Sequence, residues 1–304
     1  MIRLPMNGPP EPPPAGLPPG KPAGNPAGKP AGESRLRIQH TVQLAYRIDG
    51  QGTPCWLLFN GASLPMQFWD GLAEGLARDA TVVRMDQRNV GATRADGPFS
   101  LLDVAADAAA LLDHLQIEQV IVAGHAWGGR VAQVFARDYP HRVAGLVICG
   151  TGGQFPATVP PMVLQQLREA GRARDRVRWQ TALEAAFCAK GFSTRQPEAF
   201  RALCELQWSQ LSSQAERAAA SWDMRIAPSA SYWGSARAPA LLIYGSEDGN
   251  GTAANARDLA ARMPGSQLHF IEQAGHFVIR EQPDQVLALM REFAESIESG
   301  VLTR

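Results

Sequence analysis

The sequence predicts an α/β fold: a mostly parallel sheet with helices on both faces, plus one inserted helical segment. Three observations carry this. Short apolar runs alternate with stretches of helical period over most of the chain. One of those runs, Val120 to Ala123, passes through a glycine-flanked turn straight into a helical stretch. From about Gly152 to Ser235 the alternation stops, with no clear strand and helical propensity throughout. At 304 residues and 45% hydrophobic, the chain is long and apolar enough for one large domain with an insertion.

The elements follow in order. Residues 1–34 read as a disordered or polyproline-like arm, because PPEPPPAGLPPG and the near-repeat KPAG, NPAG, KPAG offer almost nothing large to bury. The first part of the core spans 35–151. Val42, Leu44, Tyr46 and Ile48 alternate with polar neighbours as a half-buried strand does. Cys55 to Phe59 is a continuous apolar run ending at Asn60-Gly61, a central strand entering a turn. Thr81 to Met85 is a third strand. Ser100 with Asp103 reads as a capped helix start, and Val104, Ala108, Leu111 and Leu115 recur at helical spacing. Val120 to Ala123 is the next strand, followed by a helix through Arg137 and a strand from Val143 to Cys149. Residues 152–235 form the helical cap and hold four of the seven tryptophans: Trp179, Trp208, Trp222 and Trp233. The core resumes over 236–304 with strands at Ala240 to Tyr244 and Leu268 to Ile271. A final helix carries Val286, Leu289, Met290, Phe293 and Ile297.

Composition narrows the function classes. With 29 basic and 29 acidic side chains, the net charge of zero gives no electrostatic reason to expect nucleic acid or an anionic membrane as partner. No uncharged apolar run has the length of a membrane span. The proline-rich start lacks the apolar centre of a secretory signal, so the expected compartment is the cytoplasm. Cys55, Cys149, Cys188 and Cys204 show no CxxC pair and no histidine at ligand spacing; they read as reduced, mostly buried thiols, with no metal or cofactor expected.

The chemistry concentrates in three places. In Val120-Ile-Val-Ala-Gly-His-Ala-Trp-Gly-Gly129, glycines lie two residues either side of Ala126, as a sharp strand-to-helix turn requires. Residue 126 is thrust up at the sheet's edge. The backbone N–H of Trp127, at the helix start, points toward whatever is bound above. Asp248 follows one buried strand in Tyr244-Gly-Ser-Glu-Asp248, and His276 follows the next in Ala274-Gly-His276. Ligands of parallel sheets bind at the C-terminal strand ends, so both side chains should reach the same rim as residue 126. Taken singly, Asp248 is a loop cap and His276 a satisfied rim histidine; on successive strand-end loops behind a turn of this kind they read as an acid–base pair. His125 reads as packing under the turn, Ser246 as a backbone cap, and Asp86 and Arg88 as turn formers.

From about Leu36 to Ile297 the chain resembles the α/β-hydrolase superfamily, in its esterase, lactonase and haloperoxidase-like branch with a helical cap. The resemblance rests on Asn60-Gly-Ala, Asp86-Gln-Arg-Asn-Val-Gly91, the turn around Ala126, and the loops of Asp248 and His276. It implies an oxyanion hole from the backbone N–H groups of Ala62 and Trp127, with Asp248 and His276 as acid and base. It also shows a departure. Where the family has serine, or less often aspartate or cysteine, this chain has Ala126, which has no lone pair with which to attack. Ser63 is the nearest serine, and nothing places it as a nucleophile.

Three readings follow. In the first, the protein hydrolyses esters or lactones of small, largely apolar substrates, and Ala126 occupies the place of a nucleophilic serine or aspartate. In the second, His276 tuned by Asp248 acts alone as general base in non-covalent chemistry of cofactor-free oxygenase, lyase or decarboxylase type. In the third, the chain binds a ligand without transforming it. All three imply a small-molecule partner; substrate identity and oligomeric state are not legible.

Overall fold

A computed structural model of the chain describes residues 32–38, 41–217 and 231–301, without side chains at 212–217. The proline-rich stretch up to residue 31 and Trp222 lie outside the described residues. The strands are β1 Ser34–Ile38, β2 Val42–Asp49, β3 Cys55–Phe59, β4 Thr81–Met85, β5 Arg94–Ala95, β6 Val120–His125, β7 Val143–Cys149, β8 Ala240–Gly245 and β9 Gln267–Ile271. They form one nine-stranded sheet in the order β1-β2-β4-β3-β6-β7-β8-β9, with β5 on β2. From β4 to β9 every pairing is parallel, and β2 joins β1, β4 and β5 antiparallel.

The continuous apolar runs are the central strands: β6 is buried along its whole length, as a strand covered on both faces must be. One face is covered by α2 Leu101–His114, α3 Trp127–Asp138 and α8 Ala253–Arg262, through Val104, Val131 and Leu259. The other is covered by α1 Leu72–Leu76 and α10 Pro283–Glu298, through Leu72, Met290 and Phe293. The Ser100–Asp103 signature is a full capping box: the Ser100 hydroxyl oxygen accepts from Asp103 N–H and the Asp103 carboxylate accepts from Ser100 N–H. Between β7 and β8 the described residues form four helices, α4 Pro161–Arg172, α5 Arg176–Phe187, α6 Phe192–Arg195 and α7 Pro197–Arg217.

Elements that periodicity does not announce are the short or polar ones. Strand β1 begins at Ser34, the last residue assigned to the arm, and is an edge strand exposed along most of its length. Strand β5 has two residues, too few to show a period. Asp86 and Arg88 do form turns: the Asp86 carboxylate accepts from the N–H groups of Met66 (2.6 Å) and Ala92 (2.8 Å), and Arg88 forks onto Asp107 at 2.7 and 2.8 Å.

The topology fixes where a ligand can sit. After β3 the chain goes out to β4, then returns to β6 on the other side of β3. The loops leaving β3 and β6 therefore diverge and leave a crevice at their C-terminal ends, where Phe59 lies opposite Gly124.

Candidate active site

The turn after β6 is a sharp bend paid for in backbone strain. Ala126 has φ 50° and ψ −114°, a region that residues with a Cβ rarely occupy at a cost of about 1–3 kcal/mol. Its neighbours over-determine it. Ala126 N–H donates to the Cys149 carbonyl (2.9 Å), while its own carbonyl accepts from Gly129 N–H (3.1 Å) and the Thr151 hydroxyl (3.0 Å). A Cβ on Gly124 would strike the Gly128 carbonyl, and one on Gly128 would strike the carbonyls of Phe59 and Asn60. Glycine at these two positions lets the start of α3 lie against the end of β3, so that Ala62 and Trp127 border the same cavity as Ala126.

Asp248 and His276 come together on the neighbouring loops. His276 Nδ1 lies 3.1 Å from Asp248 Oδ2 and 3.2 Å from Oδ1. Asp248 Oδ1 also accepts from the N–H groups of Asn250 (2.7 Å) and Gly251 (2.8 Å). Burial raises the Asp248 carboxyl, but the charge and hydrogen bond of His276 and the two loop N–H groups outweigh it and hold it below the usual carboxylate range. With the Nδ1 proton donated to the carboxylate, the Nε2 lone pair remains, and Asn250 Nδ2 stands 3.4 Å from it.

His125 does more than pack. Burial, then the charge of His276, pull its pKa down to about 3, so the ring is neutral. Its Nε2–H donates to the His276 carbonyl at 2.7 Å, tying the histidine loop to the strand that carries Ala126, and Phe68 stacks against its ring at 4.8 Å.

A second tie comes from Glu281, at the end of α9 Val278–Glu281, which is fully buried. Its carboxylate accepts from Ala189 N–H (2.7 Å), in the insertion, and Phe277 N–H (3.1 Å), beside His276. Burial pushes its pKa up to about 7 against the pull of these bonds. The folded chain keeps this proton to about pH 7, whereas the unfolded carboxyl loses it near its ordinary value of 4.5. The stability this group contributes is therefore full below the lower value and lost as pH rises through the upper one. Glu281→Gln, which is neutral throughout, is expected to flatten the fall in melting temperature across that window. An unchanged difference between the two chains from pH 4.5 to 7 would contradict the assignment.

A cavity of about 780 Å³ opens above Ala126. Its aromatic wall is Trp127, Trp179, Phe187 and Phe277. Of the insertion's described tryptophans, Trp179 alone lines it. Trp208 stacks behind Trp179 at 5.1 Å, and Trp233 is held elsewhere by donating to Asp258 at 2.7 Å. The tryptophans of the insertion thus divide: Trp179 lines the cavity, Trp208 packs half-buried against Trp179, and Trp233 is buried in a turn outside the cavity. Ser63 lines the cavity with φ 62°; Ser246 is exposed, and its hydroxyl donates to Glu272 (3.2 Å) rather than capping backbone. All four cysteines are free thiols, and burial pushes each of them up, Cys149, nearest the turn, to about 12, which disfavours the thiolate. Among the described residues no cluster fit to hold a metal ion occurs, and no helix is long and apolar enough to cross a membrane.

Sequence reasoning missed Asn250, Glu281 and four arginines of the cavity: Arg130, Arg168, Arg172 and Arg174. Arg130 carried a usable signal, since it follows Ala126 by four residues, one turn up the same helix. The others depend on how α4 sits over the sheet.

A family model described as the alpha/beta hydrolase fold matches residues 57–283. An uncharacterized protein of Mycobacterium tuberculosis (strain ATCC 25618 / H37Rv) is 28% identical over 290 residues, covering 87% of this chain and 82% of its own. The poly(3-hydroxyalkanoate) depolymerase of Ectopseudomonas oleovorans is 27% identical over 245 residues, covering 79% and 83%. The crystal structure of the enol-lactonase from Burkholderia xenovorans LB400, 21% identical, matches with a TM-score of 0.70 over 86% of this chain and 100% of that one.

Proposed function

We propose, from the premise that this chain belongs to the alpha/beta hydrolase fold family, that it acts on the carbonyl of a small ester or lactone by general-base catalysis without a covalent intermediate. The observation that carries this is the pairing of His276 with Asp248 at 3.1 Å on the rim of a cavity whose apex residue is alanine. A relative named for depolymerising a polyester supports the bond class.

The chemistry follows from the residues. Asp248 fixes the His276 tautomer with the proton on Nδ1, so Nε2 accepts a proton from a water in the cavity as that water attacks the carbonyl carbon. The carbonyl oxygen takes the negative charge beside the backbone amides of Ala62 and Trp127, which serve as oxyanion donors. When the tetrahedral species collapses, the C–O bond to the alcohol breaks and His276 returns the proton to the leaving oxygen. Helices α4–α7 act as a cap that excludes bulk water.

The test is steady-state hydrolysis of p-nitrophenyl acetate by the unsubstituted chain and by His276→Ala. Loss of general-base catalysis should lower the enzymic rate by about 10²-fold or more. Equal rates from the two chains would overturn the proposal.

Ala126 itself favours a second reading. With no nucleophile to activate, His276 is equally placed to remove a proton from a C–H or O–H acid, as in oxygenase, lyase or decarboxylase chemistry. His276-dependent deuterium exchange into a β-ketoester, with no ester hydrolysis, would favour it.

A further inference from the structure

Among the described residues, the lining of the cavity above Ala126 holds four arginines and no aspartate or glutamate, in a chain whose charges balance overall at 29 against 29. The other buried arginines of the sheet's rim find carboxylates: Arg84 pairs with Asp49 and Arg88 with Asp107. Those of the cavity have no ion-pair partner among the described residues. Arg130 is half-buried and donates its Nε–H to the Gly152 carbonyl at 3.1 Å, which orients the guanidinium and leaves its two terminal nitrogens without a hydrogen-bond partner among the described residues. Arg168, Arg172 and Arg174 are exposed along the edge of the same cavity. An independent feature agrees: Gln207 Nε2, a donor on one of the α7 residues that line the cavity, is buried without a partner among the described residues.

We infer that the substrate is an anion, an ester or lactone carrying a carboxylate that binds Arg130, with its apolar body along Trp179 and Phe187. A guanidinium already held by one backbone bond presents a fixed pair of donors, and a carboxylate matches that fork bidentately. The three edge arginines raise the local concentration of anions and speed entry without fixing geometry. The inference deepens the ester- or lactone-directed reading and rests on it only for which bond is cleaved.

The test therefore includes a readout that needs no turnover. N-hexylsuccinamate and its neutral partner, N-hexyl-N′-methylsuccinamide, differ by one charge and are titrated against the fluorescence of the cavity tryptophans. The anion is expected to bind about 10-fold or more tighter, with the margin shrinking as salt is raised. Arg130→Gln should remove most of that margin. The triple change of Arg168, Arg172 and Arg174 to Gln, all at exposed positions, should lower the association rate and its salt dependence. Equal affinity for the two probes, or a margin that Arg130→Gln leaves intact in a folded chain, overturns the inference. So does tighter binding of hexyl phosphate than of the carboxylate. Turnover of the matching p-nitrophenyl hemisuccinate and methyl succinate diesters separates the two claims. Hydrolysis of both with no anion preference would sink the inference alone. Anion-selective binding with no hydrolysis of either would sink the ester-directed reading and leave the anion site standing.

Discussion

Ala126→Ser is expected to hydrolyse short activated esters on the order of 10²-fold faster, or more, than the unsubstituted chain. The expectation rests on a strained apex pinned by Cys149, Gly129 and Thr151, and on a histidine held by a buried carboxylate. A hydroxyl at 126 projects into the cavity the alanine methyl already borders, so it requires no repacking. In the serine protease subtilisin, losing the nucleophile costs about 10⁶ in turnover while the oxyanion hole and binding retain about 10³–10⁴ over water, so a restored nucleophile has a wide range to recover. Burst kinetics with p-nitrophenyl acetate, one equivalent of nitrophenolate released ahead of the steady state, is the accompanying signature. A serine variant that folds but turns over no faster would mean that His276 does not reach residue 126.

The second large effect is expected from Asp248→Asn. Asp248 Oδ1 accepts two loop N–H groups, so the asparagine oxygen should stay there and its NH₂ should face His276 Nδ1. An amide donor at that point forces the ring proton onto Nε2 and removes the base from the cavity. The corresponding change in the serine-protease triad lowers turnover by about 10⁴, and a loss of about 10³-fold or more is expected here. Asp248→Ala, which leaves either tautomer free, should be less damaging than the asparagine. Equal losses would mean that the carboxylate acts only in holding its loop.

The sheet and the apex were legible because their physical requirements are local. Two glycines flanking residue 126 are demanded by carbonyls lying where their Cβ atoms would be, and the buried strands announce themselves as unbroken apolar runs. The order of Asp248 and His276 was legible for a related reason: each lies just beyond a strand, and parallel strands end on one side. The tie of Glu281 to Ala189 was not, because it joins residues 92 apart and nothing in either neighbourhood specifies the other. The arginine lining was hidden likewise. Arg168 and Arg172 join the site only through the placement of α4 beside the cavity, and no local feature separates Trp179, which lines it, from Trp208 and Trp233, which do not.

On the proposed function, residue 126 stands at the reacting carbon and its side chain alone decides between covalent and non-covalent chemistry. Intact-protein mass after incubation with a p-nitrophenyl phosphonate tests this most directly. The unsubstituted chain should keep its mass, and Ala126→Ser should gain one phosphonyl group at residue 126 in a manner that His276→Ala suppresses. A phosphonyl group on the unsubstituted chain, at Ser63 or elsewhere in the cavity, or none on the serine variant, would contradict the claim.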